Sequence, residues 1–79
     1  MREDQETIDS IANLIREYLR AHPKAADTLE GITDWWLPAR DRKASTELVQ
    51  KALDSLVARD EIRRVRSPDG HVLYMRGGW

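Results

Sequence analysis

The chain contains no cysteine and no phenylalanine, and only four glycines and three prolines interrupt its 79 residues. Without cysteine, disulfide frameworks, cysteine-ligated zinc sites and thiol catalysis are excluded. No apolar run approaches the ~20 residues that a membrane-spanning helix requires. The N-terminus, Met1-Arg2-Glu3-Asp4, is acidic and lacks an apolar stretch behind it, unlike a secretory signal. These absences predict a soluble, cytoplasmic protein with no membrane partner.

The chain also lacks a strong overall charge, since its net charge is −1, but its two halves differ. Residues 1–34 hold four Lys/Arg and eight Asp/Glu, whereas residues 35–79 hold nine Lys/Arg and six Asp/Glu. A basic C-terminal half fits an anionic partner. Small domains also show such differences by chance, so the charge distribution alone leaves the partner open.

Little in the sequence resembles a catalytic site. The two histidines, His22 and His71, fall in a predicted loop and in a predicted hairpin. No paired carboxylates, glycine-rich phosphate loop or activated serine occur at a recognisable spacing. We therefore expect no enzymatic activity, no cofactor and no metal site.

The composition is that of one globular domain. Hydrophobic residues make up 41% of the chain and charged residues 34%, which is ordinary for a folded protein. A chain of this length forms one core. We expect a single domain over residues 1–79, with a core at about residues 7–76 and flexible ends at residues 1–6 and 77–79.

Apolar residues at spacings of three and four predict three helices. The first covers about residues 7–20, ahead of Pro23, and its predicted core stripe comprises Ile8, Ile11, Ala12, Ile15, Tyr18 and Leu19. The second is short and begins at a capping box formed by Asp27 and Glu30. Of the adjacent pair that ends this helix, Trp36 is predicted to face the core and Trp35 to stay partly exposed. The alternative is that both tryptophans pack into the small core.

The remaining chain predicts a third helix and a hairpin. The helix covers about residues 46–59, with Ser45 as its N-cap. Its predicted core stripe comprises Leu48, Val49, Ala52, Leu53, Leu56 and Val57. The pattern then changes to two strand-like runs at residues 62–66 and 71–76. The sequence SPDG between them favours a type I turn closed by a glycine in the left-handed region. The sequence thus predicts a mainly α fold with a small β-hairpin.

The stretch LVQKALDSLVARDEI, residues 48–62, resembles the third helix and exit turn of bacterial winged-helix regulators. These proteins commonly carry an Ala-Leu pair, a leucine three residues later and an isoleucine that enters the wing. The matching positions are Ala52, Leu53, Leu56 and Ile62, with Arg63, Arg64, Val65 and Tyr74 resembling wing strands.

This resemblance covers about residues 7–76, at the level of the winged helix-turn-helix superfamily. It implies three helices plus a two-stranded wing. Two departures stand out. Asp60 occupies a position where family members usually carry glycine, and the polar connection at residues 38–45 is longer than the usual turn.

The resemblance implies binding to double-stranded DNA, with the third helix in the major groove and the wing on the backbone or minor groove. The exposed face of that helix is a poor match, because Glu47, Gln50, Lys51 and Asp54 carry a net charge of −1 and phosphates repel it. Basic residues lie before the helix and in the hairpin instead. The candidate DNA-binding residues are Arg40, Arg42, Lys43, Ser45, Thr46, Gln50, Lys51, Arg64, Arg66 and His71. The alternative is that these cations form an ordinary solvated surface.

Two tryptophans support a different function. Trp35 and Trp79 are candidate protein-interaction residues, because indole is enriched at protein interfaces. The leading hypothesis is a DNA-binding regulator or accessory factor that acts as a homodimer. The first alternative is a winged-helix adaptor that binds a protein partner and no DNA. The second is a structural component of a larger complex.

Overall fold

The structure, a computed structural model, describes residues 2–38 and 46–78. Helices and short strands enclose one buried core. In chain order the elements are α1 (Arg2–Ala21), β1 (Ala26–Asp27), α2 (Leu29–Gly31), a π-helical turn (Ile32–Trp36), α3 (Thr46–Ala58), β2 (Ile62–Arg66) and β3 (Val72–Arg76). The fold is therefore mainly helical, with a three-stranded antiparallel sheet in the order β1-β3-β2. Within the described residues, no helix has both the length and the apolar character needed to cross a membrane.

Helix α1 begins earlier than the sequence predicted. It starts at Arg2, so the predicted start near residue 7 was too late, and residues 2–6 are helical. Apolar periodicity could not show this extension, because residues 2–6 are polar. The predicted stripe faces the core, where it contributes Ile8, Ile11, Ala12, Ile15 and Leu19.

Helix α2 is capped by a different residue from the one predicted. The Thr28 side chain accepts a hydrogen bond from the Gly31 N–H at 3.2 Å, so Thr28 is the N-cap. Asp27 lies one residue earlier, in β1, and its carboxylate accepts from the Thr28 N–H at 2.8 Å. The predicted capping box of Asp27 and Glu30 was therefore wrong, because strand pairing holds Asp27 outside the helix.

In the π-helical turn, one of the two adjacent tryptophans is buried and the other is exposed. Trp36 is 7% exposed and Trp35 is 73% exposed, which confirms the predicted inward position of Trp36. The Trp36 indole stacks on the Tyr18 ring, with centroids 4.6 Å apart and planes inclined by 11°. Ile32 and Leu37 are buried on either side of it. The buried Trp36 thus holds the π-helical turn on the core, and the indole of Trp35 remains in solvent.

Helix α3 contributes four residues to the core, one fewer than α1. Its predicted stripe is confirmed, with Val49, Ala52, Leu53 and Leu56 all buried. The helix ends in a Schellman motif, in which the Glu61 N–H donates to the Leu56 carbonyl and the Asp60 N–H to the Val57 carbonyl, each at 3.0 Å. Asp60 accordingly has φ of 59°, in the left-handed region.

Replacing Asp60 with glycine should therefore stabilise the protein. A side chain at positive φ is strained, whereas glycine adopts this conformation freely. We expect Asp60→Gly to raise the free energy of unfolding by about 0.5–1 kcal/mol, offset in part by the greater entropy of the unfolded glycine chain. Urea denaturation checks this, with Arg59→Gly as a control that should destabilise, since Arg59 is not at positive φ. A loss of stability in Asp60→Gly would contradict the assignment of strain.

The predicted hairpin is present, with small changes at its ends. Strands β2 and β3 pair antiparallel, with Arg64 opposite Tyr74, and β3 begins at Val72 rather than at residue 71. In the turn, the Gly70 N–H donates to the Ser67 carbonyl at 2.9 Å, as in a type I turn. Gly70 has φ of 89°, which confirms the predicted left-handed glycine.

A third strand was not predicted. Residues Ala26 and Asp27 pair antiparallel with Met75 and Tyr74, so the sheet has three strands rather than two. Two residues are too few to show the period-two alternation that identifies a strand. Only the tertiary pairing with β3 gives this segment its conformation.

An ion pair joins α1 to the root of the hairpin. The Arg16 guanidinium donates to both carboxylate oxygens of Glu61, Nε to Oε1 and Nη2 to Oε2, each at 2.7 Å. This hydrogen bonding lowers the pKa of Glu61 below its usual range and raises the pKa of Arg16. Two parallel charge-assisted hydrogen bonds fix geometry as well as adding energy.

The lowered pKa of Glu61 makes this part of the stability pH-dependent. A carboxylate with a lowered folded-state pKa contributes stability above its unfolded pKa and loses it as pH falls through the folded pKa. We expect Glu61→Gln to reduce the free energy of unfolding by about 1 kcal/mol at pH 7. The difference from wild type should shrink below about pH 4. Denaturation at pH 7 and pH 3 measures it, and an equal difference at both values would contradict the role of the charge.

Candidate nucleic-acid interface

An open groove separates the hairpin from α3 and the start of α2. Its volume is about 640 Å³. The residues that line it come from four elements, namely α2 with its N-cap, α3, β2 and β3, and from the hairpin turn: Thr28, Leu29, Glu30, Gln50, Asp54, Arg64, Arg66, Gly70, His71, Val72 and Tyr74. Four of the predicted DNA-binding residues therefore share one surface, namely Gln50, Arg64, Arg66 and His71.

Strand alternation explains why two arginines reach this groove. Ile62, Arg64 and Arg66 lie on one face of β2 because successive side chains point to opposite faces. Ile62 is buried in the core, so Arg64 and Arg66 extend the same face beyond the core edge. Arg63 lies on the opposite face of the strand and does not line the groove.

A hydrogen-bond network occupies the floor of the groove. Gln50 Nε2 donates to Asp54 Oδ1 at 2.9 Å and to the Tyr74 hydroxyl oxygen at 3.0 Å. Arg64 Nη1 donates to the same Asp54 oxygen at 3.2 Å. Gln50 was predicted to be available for a base edge, yet its amide nitrogen already serves two acceptors. Reading a base with this amide would require the network to open.

The sequence did not identify Asp54 and Tyr74 as members of the candidate site. The i, i+4 spacing of Gln50 and Asp54 on α3 was a usable signal for their contact. Tyr74 was assigned to a strand, but its pairing opposite Arg64 depends on the hairpin register, which fixes the face of every side chain.

Two of the predicted DNA-binding residues lie beside acids. Lys51 Nζ is 3.7 Å from Glu47 Oε1 on the exposed face of α3. His71 Nε2 is 3.7 Å from Asp69 Oδ2 in the hairpin turn. Both pairs are highly exposed, so water screens them and each contributes little to stability. The negative charge of Glu47 nevertheless offsets the positive charge that Lys51 would present to a ligand.

Arg66 differs from these residues. Within residues 2–38 and 46–78 it forms no ion pair, and it lines the groove. Thr46, another predicted residue, is exposed at the first turn of α3. The groove thus offers one arginine without an ion pair, Arg66, and one arginine paired with Asp54, Arg64.

Five predicted site residues lie outside the described residues: Arg40, Arg42, Lys43, Ser45 and Trp79. The remaining protein-interaction residue, Trp35, is exposed on the π-helical turn and does not line the groove. Trp35 therefore lies outside the groove that Gln50, Arg64, Arg66 and His71 line.

In the part of the chain that the structure describes, no group of three or more His, Asp or Glu side chains is arranged to hold a metal ion. Comparison with models of protein families, with curated protein sequences and with solved structures finds no significant match. The functional interpretation therefore depends on the residues and their geometry.

Proposed function

We propose that this protein is a winged-helix module that binds double-stranded DNA, with the β2–β3 hairpin as its wing. The observation that carries this proposal is the position of Arg64 and Arg66, side by side on the face of β2 that borders the groove beside α3. Arginine binds phosphate through a planar set of donors and keeps its charge at any physiological pH.

The wing, rather than α3, supplies the main contact in this proposal. The exposed face of α3 presents Glu47 and Asp54, and Gln50 is held by Asp54 and Tyr74. Phosphate contacts position a protein on DNA without reading sequence. The module by itself is therefore expected to bind DNA with low sequence specificity and with strong dependence on salt.

The direct test is binding to a fluorescein-labelled mixed-sequence duplex, followed by anisotropy at about 50 mM salt. A protein that binds mainly through phosphates should show a dissociation constant of about 10⁻⁶–10⁻⁴ M or tighter under these conditions. Complete absence of binding at about 1 mM protein would overturn the proposal.

Replacing Glu47 with glutamine should tighten that binding. The substitution removes an anion from the face of α3 and releases Lys51 from its ion pair. We expect a roughly two- to fivefold lower dissociation constant at low salt, an effect that should fade as salt screens the charges. Glu17→Gln on α1 is the matched control, because it makes the same change of net charge at an exposed site away from the groove. Equal tightening by both variants would show that net charge, not the α3 face, governs binding.

A protein-binding adaptor is the second candidate, and the observation that favours it is the 73% exposure of Trp35. A large exposed indole is typical of an interface anchor. The two functions are separable, because Trp35 lies outside the groove. Trp35→Ala should leave duplex affinity unchanged if the groove binds DNA, whereas loss of affinity would place Trp35 in the DNA contact.

A further inference from the structure

The sheet has a second face that the core does not cover. Because side chains alternate along a strand, the face opposite the core carries the residues that are out of phase with Ile62 and Tyr74. These are Ala26, Arg63, Val65, Leu73 and Met75, which we call the outer sheet face. Val65 is 40% exposed, and Leu73 and Met75 are partly exposed and do not pack against the core.

The outer sheet face has one apolar strip and one cation. Val65 lies directly opposite Leu73, and Arg63 lies directly opposite Met75. Directly opposed side chains on paired strands are close enough to form a continuous surface. An aromatic ring fits such a strip well, since it packs on the aliphatic groups, contacts a thioether favourably and attracts a guanidinium to its face.

Trp35 provides such a ring on a different surface. Trp35 and Val65 are the two large hydrophobic side chains that stand exposed among the described residues. Asp34, next to Trp35 on the π-helical turn, is also exposed. The indole therefore has an acid beside it, whereas the outer sheet face has an arginine beside its apolar strip.

We propose that the chain associates with a second copy of itself by docking Trp35 of one copy on the outer sheet face of the other. Charge selects this pairing of unlike surfaces. Two outer sheet faces would place Arg63 against Arg63, and two Trp35 surfaces would place Asp34 against Asp34. The mixed contact instead pairs Asp34 with Arg63 and covers both exposed hydrophobic side chains.

This association does not depend on DNA binding. Arg64 and Arg66 border the groove on the other face of β2, so an occupied outer sheet face leaves both arginines accessible. A contact built around one indole is small, and small contacts give weak, concentration-dependent association. It is therefore to be sought at high protein concentration and without DNA.

Sedimentation velocity tests the proposal with two variants that damage opposite sides of the contact. Wild type should show an average mass that rises above the monomer mass of 9.2 kDa as protein approaches about 1 mM. Trp35→Ala and Val65→Glu should each remain monomeric. An equimolar mixture of the two variants should recover association, because each supplies the surface that the other lacks.

Matched variants separate the contact from general effects. Trp35→Phe should retain association, and Ala58→Glu, which adds an acid at an exposed site on α3, should associate as wild type does. Asp34→Arg and Arg63→Glu form a second complementary pair, monomeric alone and associating when mixed, and they leave both apolar surfaces intact. Circular dichroism checks that each variant is folded.

Three results would overturn the proposal. One is a wild type that stays monomeric at about 1 mM, where even a weak specific contact is populated. Another is self-association retained by folded Trp35→Ala or folded Val65→Glu. The third is failure of both mixtures to associate when all four variants are folded.

Discussion

Leu53→Ala is expected to lower the free energy of unfolding by about 2–5 kcal/mol, the range for a fully buried leucine. Leu53 is 0% exposed and lies in the centre of the buried stripe of α3, the helix that packs against α1. Truncation removes apolar contacts and leaves a cavity that a close-packed core cannot fully fill. Urea denaturation at pH 7 measures the effect.

The chain offers a matched control for this substitution. Leu73→Ala makes the same chemical change on the outer sheet face, where the side chain is already partly exposed. It should cost no more than about 1 kcal/mol. Because small domains have only about 5–15 kcal/mol of stability in total, Leu53→Ala should leave a visibly destabilised protein. A loss under about 0.5 kcal/mol would mean that Leu53 is not in the core.

Replacing Arg64 and Arg66 together with alanine is expected to weaken duplex binding on every sequence. If each arginine contacts one phosphate, the slope of log affinity against log salt should flatten by about one unit per residue. The same relation gives a loss of roughly tenfold in affinity per contact at about 50 mM salt. Adding Arg42→Ala and Lys43→Ala, two predicted residues outside the described ranges, should flatten the slope further.

Arg63→Ala is the sharpest control for this experiment. Arg63 belongs to the same strand and carries the same charge, but it lies on the outer sheet face. It should change neither the salt slope nor the affinity by more than the small effect of net charge. Arg66→Ala alone is also informative, because Arg66 has no ion pair among the described residues, whereas removal of Arg64 takes the cation away from Asp54. Equal effects of Arg63→Ala and Arg66→Ala would show that the groove does not direct binding.

The parts of the fold that the sequence predicted correctly are those with repeated patterns. Helix α3 and the hairpin were predictable because Leu53 and its neighbours recur at helical spacing and because Gly70 ends a recognisable turn. The burial of Trp36 followed from its spacing from Ile32. These features depend on residues near one another in the chain, so local physical chemistry determines them.

Apart from the early start of α1, where residues 2–6 are polar, the features that the sequence did not predict depend on distant contacts. Strand β1 exists only through pairing with β3. The N-cap of α2 is Thr28 rather than the predicted Asp27, because that pairing holds Asp27 in the strand. In the candidate site, Gln50 was expected to be available, but Tyr74 reaches it from a residue 24 positions away. No local pattern predicts which polar side chains will meet across such a separation.

The central proposal, DNA binding through the hairpin and groove, is tested most directly by an NMR titration with a short duplex. Backbone amide and arginine Nε–H signals of the ¹⁵N-labelled protein report which surface the duplex touches. We predict that the largest shifts fall on Arg64, Arg66 and His71, with smaller shifts at the first turns of α3, and that Trp35 and Arg63 do not shift. The absence of shifts at about 1 mM duplex, or shifts confined to Trp35 and the outer sheet face, would contradict the proposal.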